Sequence, residues 1–281
     1  MPKIAVHLHL YYLEQLNDIL RRLGYLSGYD YDLFVTMSEL DPQAVNKILQ
    51  FKPEAVIWQT PNLGYDIGPF IDFLHKINLD DYDYVLKIHT KRSNMYSFCR
   101  FHNRRFSIKI WGKMLLDSLL YSPAAVRKNF ALLAENPQIG MLGNDYTFVD
   151  DAEFLPSVEE LKKGINQLGL TLPKDLHFIA GTMFLVRAKL LKPFLACKIT
   201  DFALSDKNVH KNTRAHLIER LFCLAVTAQG YKIKGVRHCS YIWDMFVTGV
   251  QRFLLQIKTN HYGKTTVKVC KIPVYIRENK D

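Results

Sequence analysis

The sequence predicts an α/β fold: a mostly parallel sheet with helices on both faces. Three observations lead there. Short apolar strand-like runs alternate with helically spaced segments from Lys3 to His89, in the order strand-helix repeated three times and closed by a fourth strand. Helix-start signals, Asp41-Pro42 and Ser122-Pro123, fall where that alternation needs them. The composition, 48% hydrophobic and 12% aromatic over 281 residues, suffices for one large buried core.

Lys3–His9 reads as the first strand. Leu13, Leu16, Ile19, Leu20 and Leu23 recur at helical spacing after it, with Gly24 expected to end that helix. Tyr31–Met37 is a second strand, and Val45, Ile48 and Leu49 ride on the helix opened by Asp41-Pro42. Glu54–Trp58 is a short third strand, followed by the loop TPNLGYDIGPF and a helix to about Ile77. Tyr84–His89 is the fourth strand. Further on, Ile139–Asn144 reads as a strand, residues 150–176 as a polar excursion, and His177–Arg187 as the longest strand. A helix over Ala215–Ala228 and a last strand YKIKGV complete the domain, expected over residues 1–240. Residues 241–281 form a basic, aromatic extension with no clear period, expected to pack on the domain or lie near a membrane.

The formal charge of +10 favours anionic partners: nucleotide phosphates, nucleic acid or an anionic membrane surface. No nucleic-acid recognition motif accompanies the dispersed cations, which argues against the second of these. Five scattered cysteines without a CxxC pair speak for a reducing compartment and against a zinc site. MPKIAVHLHL reads as a strand and not as a secretory signal, and no apolar run reaches the ~18 residues of a membrane span. A cytoplasmic protein, at most peripheral at the inner face of the membrane, is expected.

In open parallel sheets ligands bind beyond the carboxyl ends of the strands. After the third strand, Asn62, Gly64 and Asp66 lie in a loop whose glycines permit close backbone approach, with Gly68-Pro69 opening a helix suited to phosphate or hydroxyl contacts. An ordinary loop punctuated by Gly and Pro is the alternative. After the fourth strand, His89, Thr90, Lys91 and Arg92 concentrate cationic groups suited to a diphosphate; a solvated basic turn is the alternative. Asp81-Tyr82-Asp83 has the form of a DxD metal motif but precedes the strand, roughly 15–20 Å from His89 at ~3.3 Å per residue, and reads as a surface loop. Gly181 and Thr182 fall mid-strand, where glycine marks close approach of a ligand or a packing gap. His216 and Glu219, three apart near a helix N-terminus, are either a candidate acid-base pair or part of a capped helix with a Glu219–Arg220 surface pair. His7 and His9 read as core histidines. Walker, GxSxG and HExxH motifs are absent.

YDYDLFVT, NLGYDIGPF, YDYVLKIHTKRS, NPQIGMLG, FIAGTMFLVRAKLL and AHLIERLF, in that order, resemble the rhamnan synthesis protein F family of bacterial polysaccharide glycosyltransferases. The layout is similar, more distantly, to family 2 glycosyltransferases of the GT-A fold. The resemblance implies a GT-A-like (Rossmann-like) domain that transfers a sugar, rhamnose in that family, from a nucleotide-sugar donor to a saccharide or lipid-linked glycan acceptor in cell-surface polysaccharide or lipopolysaccharide synthesis. It implies Glu219 as the base, Lys91 with His89 as stabilisers of the leaving diphosphate, and Asn62, Gly64, Asp66, Thr90 and Arg92 around the nucleotide. Gly181, Thr182 and His216 fall on the acceptor side. His89-Thr90-Lys91 stands where the larger pattern has its DxD, so no metal cofactor is expected, with Mg²⁺ or Mn²⁺ the alternative. A non-catalytic carbohydrate-binding or scaffold protein on the same fold is the rival reading.

Overall fold

A computed structural model describes residues 1–92, 98–101, 104–150, 157–202, 214–259, 265–270 and 272–277. They divide into two compact units: residues 1–91 with 114–238, and residues 92–113 with 239–281.

The first unit opens with β1 (Lys3–Leu10), α1 (Leu16–Leu23), β2 (Asp30–Met37), α2 (Pro42–Phe51), β3 (Val56–Gln59), α3 (Ile67–Lys76) and β4 (Tyr84–His89). The Asp41 side chain accepts a 2.7 Å hydrogen bond from Ala44 N, and Pro42 takes the first helical position, where its missing N–H costs nothing. α1 ends where expected, with Gly24 as its C-cap, though at φ −57° and continuing into a 3₁₀ turn; the left-handed residue is Gly28, φ +94°.

The second unit takes β5 (Phe98–Phe101), β6 (Arg104–Ser107) and the start of α4 (Ile108–Leu120). The chain then adds to the first unit α5 (Pro123–Glu135), β7 (Ile139–Asn144), β8 (Phe148–Asp150), α6 (Val158–Gln167), β9 (His177–Ile179), β10 (Phe184–Arg187), α7 (Arg214–Ala228) and β11 (Lys232–Val236). The polar excursion thus contains a helix, α6, packed on α7. In the last part α8 (Ile242–Leu254) precedes an antiparallel meander of β12 (Leu255–Thr259), β13 (Thr265–Val269) and β14 (Ile272–Arg277). The extension that shows no period in sequence therefore has regular structure.

Seven strands form the main sheet in the order β11-β7-β10-β4-β1-β2-β3. All its pairings are parallel except those of β10, which runs antiparallel to both β4 and β7. The expected long strand His177–Arg187 is broken: β9 pairs with β8 in a separate ribbon, and the chain turns through Gly181 (φ +104°) and Thr182 (φ +53°) before β10. That break has a positional consequence. Because β10 is reversed, the turn at its amino end lies at the carboxyl edge of the parallel strands.

Strand pleating assigns the faces. Tyr84 of β4 meets Phe130 of α5 with ring centroids 5.7 Å apart. The opposite face carries Phe70 and Phe73 of α3, Phe184 of β10 and Phe222 of α7, with Phe70–Phe222 and Phe184–Phe222 both at 5.4 Å. On the α1 side, buried Arg22 bridges Asp117 at 2.5 Å and Asp18 at 2.7 Å, tying α1 to α4.

Candidate active site at the carboxyl edge of the sheet

Alternation along three neighbouring strands brings His7 and His9 of β1, Thr36 of β2, and Lys87 and His89 of β4 to the face that α3 covers. All five are buried. His7 Nε2 and His9 Nδ1 each share a 3.0 Å hydrogen bond with Thr36 Oγ1, and His7 stacks on Phe73 at 4.7 Å.

Lys87, wholly buried, is the centre of this stripe. Its Nζ donates to Asp66 Oδ2 at 2.5 Å and to the Thr182 carbonyl at 2.9 Å, and Thr182 Oγ1 donates to the same carboxylate oxygen at 2.5 Å. Burial opposes ionisation of Asp66, but the Lys87 ammonium bonded to it, with Lys91 beyond, more than offsets that cost and holds its carboxyl far below the ordinary carboxylate range. Burial lowers the Lys87 pKa, and the Asp66 charge counters it.

Both loops joined by this ion pair contain two consecutive left-handed residues: Gly64 (φ +67°) with Tyr65 (φ +57°), and Gly181 with Thr182. A β-branched residue at φ +53° costs ~1–3 kcal/mol, so it persists only where surrounding bonds over-determine it. Lys87 and Asp66 provide those bonds. The turn in turn holds Glu219 of α7, whose Oε1 accepts a 2.8 Å hydrogen bond from Gly181 N. Glu219 Oε2 lies 3.6 Å from the Arg220 guanidinium.

The residues singled out in the sequence therefore converge, though several act differently from expectation. His89 is only 2% exposed, and burial, with Lys87, Lys91 and His9 around it, pushes its pKa well below 6.5 despite Asp66. The ring is neutral, which corrects its assignment as a protonated partner for a diphosphate. Its nitrogens are buried without a hydrogen-bond partner among the described residues, Nδ1 lying 3.5 Å from Asp66 Oδ2. Thr90 Oγ1 accepts from both Tyr11 N and Tyr12 N at 2.9 Å, so it builds the turn after β1. The Gln15 side chain brackets the Lys91 backbone, accepting from Lys91 N at 3.2 Å and donating to its carbonyl at 2.5 Å. The Lys91 charge is felt by Asp66, Lys87, His89 and His216, which places it at the same edge. Arg92 is exposed and begins the second unit.

The glycines answer to the protein's own packing. A Cβ on Gly64 would stand 2.6 Å from the Phe202 ring, one on Gly68 2.0 Å from the Leu63 carbonyl oxygen, and one on Gly181 2.5 Å from Leu115. The helix-opening position is glycine because its own loop backbone fills the space a Cβ would take. Asn62 and Tyr65 are exposed, and Tyr65 meets His216 edge-on at 6.1 Å. Burial lowers the His216 pKa. Asp81-Tyr82-Asp83 lies at the far edge, where Lys3 N donates to Asp83 Oδ2 at 2.8 Å and Tyr82 donates to Asp32 at 2.8 Å.

The residues in the DxD position do not suit a divalent metal: the Thr90 hydroxyl is occupied by two amides, Lys91 is an ammonium, and the His89 imidazole, the one metal-binding group among them, is buried. The nearest carboxylate, Asp66, is engaged by Lys87. Among the described residues no three His, Cys, Asp or Glu side chains group to hold a metal ion. Sequence reasoning missed Lys87 and Thr36; the available signal was a lone lysine inside an apolar strand, two residues from His89 and so on its face.

This is an α/β protein whose polar groups gather where open sheets bind their ligands. The chain belongs to the rhamnan synthesis protein F family, whose model matches residues 1–231. It is similar to protein WxcX of Xanthomonas campestris pv. campestris, in strains B100 and ATCC 33913, at 26% identity over 240 residues. That match covers 84% of this chain and 33% of WxcX, so the chain spans about a third of the length of these curated relatives. Among solved structures it is similar to S. aureus TarS 1-349 (10% identity, TM-score 0.44, 88% of this chain and 63% of that one). It is also similar to Mycobacterium tuberculosis glucosyl-3-phosphoglycerate synthase bound to Mn²⁺, UDP and glucosyl-3-phosphoglycerate (12% identity, TM-score 0.34, 99% and 90%). Among the described residues no helix is long and apolar enough to cross a membrane.

Proposed function

We propose that this chain is a glycosyltransferase that moves a sugar from a nucleotide-sugar donor to a saccharide or lipid-linked glycan acceptor. Family membership supports rhamnose as the sugar and cell-surface polysaccharide as the product. The observation that carries the reading is the joining of two loops through one strand by direct bonds. Asp66 after β3, Lys87 within β4 and the Gly181-Thr182 turn before β10 form one unit that orients Glu219.

In this reading Glu219 Oε2, the oxygen not held by Gly181, takes the proton of the acceptor hydroxyl. The freed oxygen attacks the anomeric carbon as its bond to the diphosphate breaks, and a single displacement of this kind inverts the configuration. Lys91 offsets the charge that gathers on the departing nucleoside diphosphate without a bound metal. Asn62 and Gly64 border the nucleotide, and Thr182 and His216 the acceptor. His89, Thr90 and Asp66 act from beneath, shaping the floor on which Lys91 stands.

Calorimetric titration with TDP, UDP and GDP, each with EDTA and with Mn²⁺, tests the donor half. One diphosphate binding selectively in EDTA is expected; binding only with Mn²⁺ overturns the metal-free part, and no binding in either overturns the donor site. Once the donor is known, Glu219→Gln should abolish turnover while leaving donor binding within about threefold. Near-normal turnover would sink the base assignment.

A further inference from the structure

The excess positive charge is confined to one part of the chain. Residues 92–113 and 239–281 hold thirteen Lys and Arg against three Asp and Glu, a net +10, while the rest of the chain carries 24 of each sign. Residues 92–113 contain no acidic residue at all.

The same unit turns large apolar side chains outward. Ile242, Trp243, Phe246, Val250 and Leu254 of α8 are 69%, 72%, 59%, 41% and 50% exposed. Their spacing of one, three, four and four residues keeps them on one side of the helix. Trp243 and Phe246 stack at 5.4 Å, a preformed aromatic pair facing solvent. Ile272, Val274 and Tyr275 of β14 are 65%, 59% and 52% exposed.

From this coincidence of net charge and exposed apolar face we infer that the second unit docks on an anionic lipid bilayer, with α8 lying in the interface. Charge complementarity selects the occupant: an anionic headgroup layer satisfies an excess of ten cations, and the acyl boundary takes up the Ile, Val and Leu side chains beside the aromatic pair. Nucleic acid matches the charge but has no use for those aliphatic groups; a second copy of this chain matches the apolar face but repels electrostatically. At 13 residues α8 is too short to span the ~20-residue hydrocarbon thickness, and lying flat is the geometry open to it. The inference does not depend on the transfer reaction.

The test is flotation of the 281-residue protein with vesicles of phosphatidylcholine alone or mixed with phosphatidylglycerol, at low and high salt. Expected is at least tenfold stronger binding to the anionic vesicles, weakened by salt. Trp243→Ser with Phe246→Ser should reduce binding more than tenfold. Lys109→Gln and Lys113→Gln, exposed and outside every catalytic assignment, should each weaken it up to about fivefold, the equivalent of ~1 kcal/mol per cation. Circular dichroism and nucleoside diphosphate titration of each variant separate loss of docking from loss of folding or of the donor site. Equal binding to neutral and anionic vesicles, or no binding to either, overturns the inference. So does a concentration-dependent dimer abolished by the Trp243 and Phe246 changes, or tighter binding to oligonucleotide than to vesicles.

Discussion

The two units place their charge in opposite ways. The first balances 24 cations against 24 anions and buries some of them: Arg22 with Asp117, and Lys87 with Asp66. The second carries its cations with few counter-ions and leaves several large apolar side chains of α8 and β14 outside. A buried charge holds geometry, because removing its partner leaves an uncompensated ion in a low dielectric. An exposed excess charge has little influence on geometry and much on what approaches. On the readings proposed above, the neutral unit builds a site and the basic unit meets a surface.

Lys87→Met breaks the first half of that contrast most severely. It strands the Asp66 carboxylate and frees the Thr182 carbonyl, at a cost of ~3–5 kcal/mol read from the urea midpoint. Adding Asp66→Leu should recover part of the loss. A single variant within ~1 kcal/mol of the parent would mean the pair does not organise the site.

Acid titration probes the same cluster more gently. Burial, first among the causes, lowers the His9 pKa to about 4, with His7 and His89 also held well below 6.5. The unfolded chain therefore binds protons that the folded chain refuses, so the stabilising contribution is complete above pH ~6.5 and declines as pH falls toward 4. His9 alone accounts for up to ~3 kcal/mol, and below pH ~4 the Asp66 contribution also declines, because the unfolded chain takes up a proton there that the folded carboxylate refuses. Thermal unfolding that stays flat between pH 7 and 4.5 would contradict the buried-histidine arrangement.

The smallest effect belongs to the other unit. Trp243→Ser and Phe246→Ser, at 72% and 59% exposure, should each change stability by less than ~0.5 kcal/mol, while together they reduce vesicle binding more than tenfold. A loss above ~2 kcal/mol would show that these rings hold the fold, and the contrast between the units would lose its outward half.

Local chemistry in the sequence was enough for the elements. Asp41-Pro42 and Ser122-Pro123 start helices because their side chains satisfy free backbone N–H groups, and periodicity marks β1, β2, β4 and α7. The motifs around Asp66 and Lys91 were legible as belonging to one edge, since parallel strands present their carboxyl ends together, whereas Gly181 read as mid-strand and Glu219 joined them only through the family resemblance. What only the tertiary structure decided is what each group does there. His89, Thr90 and Lys91 read as one exposed trio, yet the pleat turns His89 into a dry face, two amides claim Thr90, and Lys91 follows beyond the strand. Gly64 and Gly181 read as openings for a ligand, and their space is filled by Phe202 and Leu115, side chains 138 and 66 positions away along the chain. Lys87 gave no local sign of its partners, because Asp66 and Thr182 stand 21 and 95 positions from it. Composition and periodicity are properties of neighbours in the chain; a buried ion pair, a neutralised histidine and a left-handed threonine depend on neighbours that only folding brings together.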